Sequence, residues 1–205
     1  MRKYRILIIL LLGLFGCNSG VKEPEKVIKQ SKEEVNYMEM REDMVKYQIA
    51  GRGIKDKRVL EAVRKVERHL FVPEEYRKSA YEDHPLPIGE GQTISQPYIV
   101  AYMAEVIDPD PSDKILEIGT GSGYGAAVLS KLGGEVFTIE IVEALCKRAR
   151  KTLEEGNYDN VTVICGDGYK GLPDEAPFDK IVVTAAPKEI PQPLIDQLAV
   201  GGKMV

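Results

Sequence analysis

The chain has 205 residues, enough for one domain with a sizeable buried core. Its composition is that of an ordinary soluble globular protein, with 43% hydrophobic residues, 29% charged residues and no tryptophan. A net charge of −4 argues against nucleic acid as the main partner. With two histidines and no Cys/His cluster at zinc spacing, no metal site is predicted.

The N-terminus departs from this ordinary picture. "MRKYR" is a basic segment, and "ILIILLLGLF" is an apolar run of ten residues, too short to span a bilayer as a helix but suited to a secretory signal. It ends in "LFGC", which resembles the lipobox of bacterial lipoproteins, although Phe15 is bulkier than the lipobox usually carries there. The resemblance implies a signal peptide over residues 1–16, cleavage before Cys17 and lipidation of that cysteine. Loss of Arg2, Lys3 and Arg5 then moves the net charge from −4 to −7. Residues 17–37 are polar, rich in lysine and glutamate, and read as a tether. The protein is thus expected in the cell envelope, touching the membrane only through the lipid on Cys17. The alternative is a cytoplasmic protein whose true start lies near Met38, Met40 or Met44.

Residues 38–108 form an N-terminal helical and substrate-loop region. "REDMVKYQIAGRGI" predicts a short helix stopped at Gly51. Asp56 can cap a second helix, with Val59, Val63, Val66 and Leu70 along one face. Pro73 ends that stretch. Residues 81–96 are so rich in glycine and proline that no regular structure is expected. Pro97 then suits the first turn of a helix, with Ser95 or Gln96 as its cap.

From Pro109 the pattern changes. "KILEIG", "EVFTIE", "VTVIC" and "FDKIVVT" predict strands; "YGAAVLSKLG", "VEALCKRARKTLEEG" and "PQPLIDQLA" predict helices. Nearly continuous apolar strands separated by helices are the βαβ pattern of a parallel sheet covered on both faces. "LAVGGKMV" reads as a helix end, a Gly-Gly turn and an apolar strand cut after three residues, which suggests a truncated domain over 109–205 with its C-terminal strands missing. Cys146 and Cys165 lie in apolar runs and predict buried free thiols rather than a disulfide.

Glycine recurs at every second position from Gly119 to Gly125 in "LEIGTGSGYGAAV", directly between a strand and a helix. Such a loop lets a ligand lie against the backbone, with Gly119, Thr120, Gly121, Ser122 and Gly123 around its polar end. Glu140, at the end of the next strand, can accept both hydroxyls of a ribose. The pocket is therefore expected to hold a nucleoside. "GSGYGA" satisfies a loose dinucleotide pattern, so NAD stays open on the glycines alone. Glu117, two residues before Gly119, suits a cationic ligand and would repel a pyrophosphate, which favours S-adenosylmethionine.

"ExGxGxG" resembles the first motif of class I S-adenosylmethionine-dependent methyltransferases. "CGDG" resembles their segment whose acid meets the adenine, here Asp167 beside Gly168; alone, Asp167 reads equally well as a turn residue. "PLPIGEGQTISQPYIVAYM" together with "ILEIGTGSGYGAAVLS", "GDGYKG" and "VVTAAP" resembles protein-L-isoaspartate O-methyltransferases, from about Met40 to Val205. That resemblance implies an α/β, Rossmann-like class I methyltransferase sheet with an N-terminal helical extension. It further implies methyl transfer from S-adenosylmethionine to the α-carboxylate of L-isoaspartyl residues in damaged proteins, which starts repair through a succinimide. It places Ser95 on the acceptor carboxylate, with Thr93, Ile94, Thr184, Ala185 and Pro187 as further substrate contacts. Isoaspartyl proteins and peptides are the implied partners, and a monomer the expected state. Other readings kept open are a methyltransferase for another carboxylate and a non-catalytic lipoprotein that binds S-adenosylmethionine or NAD.

Overall fold

The computed structural model describes residues 35–185 and 189–205. The expected leader, Cys17, most of the tether and Pro187 lie outside the described residues.

Helix α1 (Tyr37–Asp43) starts at Asn36, whose Oδ1 accepts the Glu39 N–H at 3.2 Å. The coil does not stop at Gly51. It widens into a π turn over Met44–Ile49, tightens into a 3-10 turn over Ala50–Arg52 and ends at Gly53 with φ 109°. The widened turn brings Met44, Val45 and Ile49 together into the core. Helix α2 (Lys57–Lys65) is capped by Asp56, which accepts the Arg58 N–H at 2.7 Å. Val59, Val63 and Val66 are buried as expected, but Leu70 is 46% exposed. The backbone turns extended at Val66, and the following 3-10 turn Arg68–Phe71 sends Phe71 inward in place of Leu70.

Residues 81–96 are also more regular than expected. Strands β1 (Leu86–Gly89) and β2 (Gln92–Ile94) pair antiparallel, with Leu86 opposite Ile94 and Pro87 opposite Thr93. The glycines serve the turn, where Gly89, Glu90 and Gly91 all have positive φ. Pro87 is tolerated because each strand of a two-stranded ribbon has a free edge. Helix α3 (Pro97–Ile107) starts at Pro97 as expected, yet neither Ser95 nor Gln96 caps it with a side chain. Asp83 does so instead, accepting the Tyr98 N–H at 3.4 Å, while Gln96 Nε2 donates to the Asp83 carbonyl at 2.9 Å.

The central sheet is wholly parallel, in the order β5-β4-β3-β6-β7. Its strands are β3 (Lys114–Ile118), β4 (Glu135–Glu140), β5 (Val161–Cys165), β6 (Phe178–Val183) and β7 (Leu198–Met204). Helices α4 (Tyr124–Leu129), α5 (Glu143–Glu155) and α6 (Gln192–Asp196) connect them. Helix α4 is shorter than predicted because Ser130 turns its hydroxyl back onto the Ala127 carbonyl at 2.7 Å and Gly133–Gly134 follow. "LAVGGKM" is not a helix end and a turn: it is strand throughout, and an irregularity opposite Phe178–Lys180 absorbs the glycine pair. One sheet face meets α2, α3, α4 and α5 through Ile115, Val136, Val163 and Val182. The other buries Leu116, Ile118, Ile139, Phe178 and Ile181 with Leu194 of α6.

Cys146 of α5 and Cys165 at the end of β5 form a disulfide, with their Cα atoms 5.5 Å apart. The expectation of free thiols fails because the β4–α5–β5 crossover folds α5 back over β5. Residues 19 apart in sequence are thereby brought face to face, which no local hydropathy pattern reveals. Among the described residues, no helix is long and apolar enough to cross a membrane, and no group of His, Cys, Asp and Glu could hold a metal ion.

Candidate active site

Chain order reverses at β3: β4 and β5 follow it on one side, β6 and β7 on the other. Such a reversal leaves a crevice beyond the carboxyl ends of the strands. A cavity of about 290 Å³ occupies that position. Its walls are the glycine loop after β3, the ends of β4 and β6, the turn after β5, and the end of the β1–β2 hairpin.

The loop after β3 is held from below. The N–H groups of Gly119 and Thr120 both donate to the Ile139 carbonyl, at 2.9 and 3.2 Å, and Gly123 N–H closes a turn on Thr120 at 2.8 Å. At Gly119 φ is 101°, and a Cβ there would stand 2.6 Å from Thr184 Oγ1. Both the backbone conformation and the neighbour therefore demand glycine. Thr184 hydrogen-bonds through its hydroxyl to the carbonyls of Ile118, at 2.9 Å, and Gly119, at 2.7 Å. It thus fixes the loop as well as lining the cavity, which goes beyond the substrate contact expected of it.

Glu140 is 6% exposed and braces the loop from the next strand. Its Oε2 accepts Gly121 N–H at 2.8 Å and its Oε1 accepts Val142 N–H at 2.9 Å. Each oxygen keeps a second lone-pair site for a hydroxyl pair. Asp167 is the turn residue foreseen, capping Gly168–Lys170 by accepting Tyr169 N–H at 3.1 Å, and it also lines the cavity beside Gly168.

Glu117 lies on β3 opposite Thr138 of β4 and is 1% exposed. Thr138 donates to it at 2.6 Å, and the Thr120 hydroxyl stands 2.6 Å from that of Thr138. Burial, far outweighing the hydrogen bond, pushes the Glu117 carboxyl up to about 8. Among the described residues, Glu117, Glu140 and Asp167 are the only charged side chains lining the cavity. Three acidic side chains, Glu117 among them ready to ionise beside a cation, and no basic one among the described lining residues suit a cationic nucleoside better than a pyrophosphate, so the residues fit S-adenosylmethionine and disfavour NAD.

At the acceptor end, Thr93, Ile94 and Ser95 line the same cavity, as does Ala185. Ile94 is 4% exposed and belongs to the core, so it shapes the wall more than it offers a polar contact. Ser95 makes no side-chain hydrogen bond to a described residue and is free to meet a ligand. The hairpin that carries it is tied to α5 by Arg148, which donates to the Ile88 carbonyl. The sequence reading missed Thr138, Ile141 and Tyr169. Ile141 and Tyr169 directly follow recognised residues, Glu140 and Gly168, and line the cavity with apolar surface. Thr138 becomes visible only once the β3–β4 register sets it against Glu117.

An open α/β sheet whose crossing point carries a glycine loop, a glutamate bracing that loop from the next strand and an acid-lined cavity defines a class I methyltransferase. The family model described as Protein-L-isoaspartate(D-aspartate) O-methyltransferase (PCMT) matches residues 38–205, and the chain belongs to that family. It is 61% identical over 162 residues to a protein-L-isoaspartate O-methyltransferase of Gloeobacter violaceus, covering 79% of each chain. It is 57% identical over 165 residues to one of Methanoculleus marisnigri, covering 80% of this chain and 75% of that one. Among solved structures, a protein-L-isoaspartate O-methyltransferase superposes with a TM-score of 0.74 at 33% identity, over 80% of this chain and 54% of the other. A beta-aspartate methyltransferase (PCMT) from Plasmodium falciparum, in complex with S-adenosyl-L-homocysteine, superposes with a TM-score of 0.69 at 26% identity, over 83% of both chains.

Proposed function

We propose that the chain methylates the α-carboxylate of L-isoaspartyl residues in damaged proteins, with S-adenosylmethionine as methyl donor. The observation that carries this reading is the meeting of an acid-lined nucleoside cavity with an unengaged serine hydroxyl, Ser95, in one enclosure. When bound, the cofactor supplies an electrophilic methyl group on a cationic sulfur. The acceptor is already ionised near neutral pH, since free carboxyls titrate at about 3.3–4.3, and so it needs no general base. This agrees with a cavity that no histidine lines. Glu117 and Asp167 hold the donor's polar ends, Glu140 and the glycine loop its ribose, and Ser95 donates to the acceptor carboxylate. Catalysis is then placement in line, with water kept out by Ile94 and the hairpin. The neighbouring backbone nitrogen attacks the methyl ester and expels methanol, and hydrolysis of the resulting succinimide returns part of the chain to normal aspartate.

The test is transfer of labelled methyl to an isoaspartyl peptide, with its normal-aspartyl twin as control. Base-labile label in the isoaspartyl peptide alone, lost with Ser95→Ala, supports the reading. No label in either peptide from a folded protein that binds the cofactor sinks it.

For location and state, we infer a lipid-anchored envelope protein attached through Cys17 and working as a monomer. The Cys146–Cys165 disulfide supports an oxidising compartment. The competing reading is a cytoplasmic protein whose true start lies near Met38, Met40 or Met44. Mass spectrometry of the mature N-terminus decides between them: an acylated Cys17 carries the first reading and a free N-terminus near Met38 the second.

A further inference from the structure

A second concavity, of about 900 Å³, lies on the far side of the β1–β2 hairpin and adjoins the cofactor cavity at Ser122. Its floor is apolar: Phe71, Pro73, Ile88, Tyr158 and the exposed Leu70. Around it stand six basic side chains, Arg41, Lys65, Arg77, Lys131, Arg148 and Lys151. Only three acids share the lining. Of these, Glu67 is paired with Arg41 at 3.3 Å and Glu155 with Lys151 at 3.7 Å. Arg77, Lys131 and Arg148 have no carboxylate partner among the described residues. Lys131 rests over the Tyr158 ring, 4.5 Å from its centre, and Arg148 reaches only the Ile88 carbonyl. The Nε groups of Arg41 and Arg77 are buried with no acceptor, so the protein itself does not saturate either guanidinium.

This surface opposes the sign of the whole chain, whose net charge is −4. It is not explained by the nucleoside site, whose charged lining is entirely acidic among the described residues. Like-signed side chains gathered around a concave apolar floor repel one another, and an anionic ligand relieves that repulsion. The apolar floor suits a peptide better than a bare inorganic anion, because Leu70 and Tyr158 can cover aliphatic side chains while the basic rim meets carboxylates. The hairpin that presents Thr93 and Ser95 to one cavity presents Ile88 to the other, so the two lie on a common wall.

We propose that this basic cleft is a second docking site of the enzyme, which takes an acidic segment of the same substrate protein whose isoaspartyl residue enters the Ser95 cavity. The proposal rests on the isoaspartyl reading for its substrate and adds a charge preference remote from the methylated residue.

The test uses fluorescently labelled isoaspartyl peptides with one common core. Each carries a tail of four glutamates or four glutamines, on either flank, behind glycine-serine spacers of several lengths. Binding is followed by anisotropy at low and high salt, and methyl transfer is measured separately. The variant is Lys131→Glu/Lys151→Glu, whose two positions are exposed and outside the methyl-transfer machinery. With the wild type at low salt, the glutamate tail is expected to tighten binding and lower KM about fivefold at one or more spacer lengths, the scale of a few exposed ion pairs. Added salt and the double variant abolish that gain, and kcat stays the same. Equal binding of both tails at every spacer length overturns the proposal, and so does a glutamate preference that survives the charge reversal. Failure to methylate the glutamine-tailed peptide overturns the isoaspartyl reading instead, while the anisotropy still reports on the cleft.

Discussion

The Thr138 hydroxyl donates to Glu117 Oε2 at 2.6 Å, and this is the one hydrogen bond that the buried carboxyl makes to a described residue. A single neutral donor does not offset its loss of water, so Glu117 titrates near 8 instead of its ordinary 4.5. In the ligand-free fold it carries a proton at pH 7, whereas in the unfolded chain it is ionised. The folded state therefore binds more protons between pH 4.5 and 8, and the stability contributed by the protonated carboxyl is lost as pH rises through that window. Urea denaturation of the ligand-free protein should show stability declining from about pH 5 to 8, and Glu117→Gln should flatten the slope. An unchanged slope in the variant excludes Glu117 as its source.

A cationic ligand reverses the preference of the same carboxyl. An ammonium beside Glu117 favours the ionised form, so binding should release a proton, and affinity should rise with pH up to about 8. Calorimetry in buffers of different ionisation heats measures that proton directly. Glu117→Gln should weaken S-adenosylmethionine roughly 10- to 100-fold, the value of a charge-assisted hydrogen bond, and remove the proton release. Binding without proton release in the wild type would show that Glu117 does not face the ammonium.

Ser95 has no side-chain hydrogen bond to a described residue to lose, since Asp83 and not Ser95 caps α3. Ser95→Ala should therefore leave thermal stability and cofactor affinity intact while lowering kcat/KM for isoaspartyl peptide roughly 10- to 100-fold. A variant that loses stability in step with activity assigns Ser95 to the fold.

Gly119→Ala places a methyl group 2.6 Å from Thr184 Oγ1 in a backbone with φ 101°. The conformation alone costs about 1–2 kcal/mol in a residue with a Cβ. Pushing Thr184 aside also breaks its hydrogen bonds to the end of β3. Cofactor binding should be lost before the fold is, read as absent calorimetric heat from a protein with a native far-ultraviolet spectrum. Measurable wild-type affinity in Gly119→Ala contradicts this account of the loop.

The disulfide closes a loop with a sequence separation of 19, for which the chain-entropy account predicts about 3 kcal/mol of stabilisation. Cys146→Ala/Cys165→Ala, compared with oxidised wild type in urea, should show a loss of that order, and a reducing agent should affect only the wild type. Equal stability of the two proteins before and after reduction would show that the bridge does not restrain the unfolded chain.

Much of this site could be seen in the sequence because its residues sit at fixed offsets from strand ends. Gly119, Glu140 and Asp167 each follow or close a predicted strand, and a parallel sheet gathers strand ends at one edge. What escaped detection depends on register and packing. Thr138 looks like any strand threonine until β4 aligns with β3. Cys146 and Cys165 meet only because α5 folds back over β5. Leu70 fits a helical stripe perfectly well on paper, but the backbone leaves the helix at Val66 and turns it outward. The hairpin at 86–94 was hidden for a different reason: glycine and proline signal turns and strand edges with the same letters.

The β1–β2 ribbon is a sheet of its own, outside the hydrogen-bonded ladder of the five parallel strands. On the proposed reading, the strand ends and loops that grip the nucleoside belong to the larger sheet, while Thr93, Ile94 and Ser95 come from this short appendage and the residue beyond it. Donor grip and acceptor choice are thus written in separable stretches of chain. Retargeting such a scaffold to a new methyl acceptor is a matter of grafting a different ribbon between Asp83 and Pro97, with Arg148 left in place as its mooring.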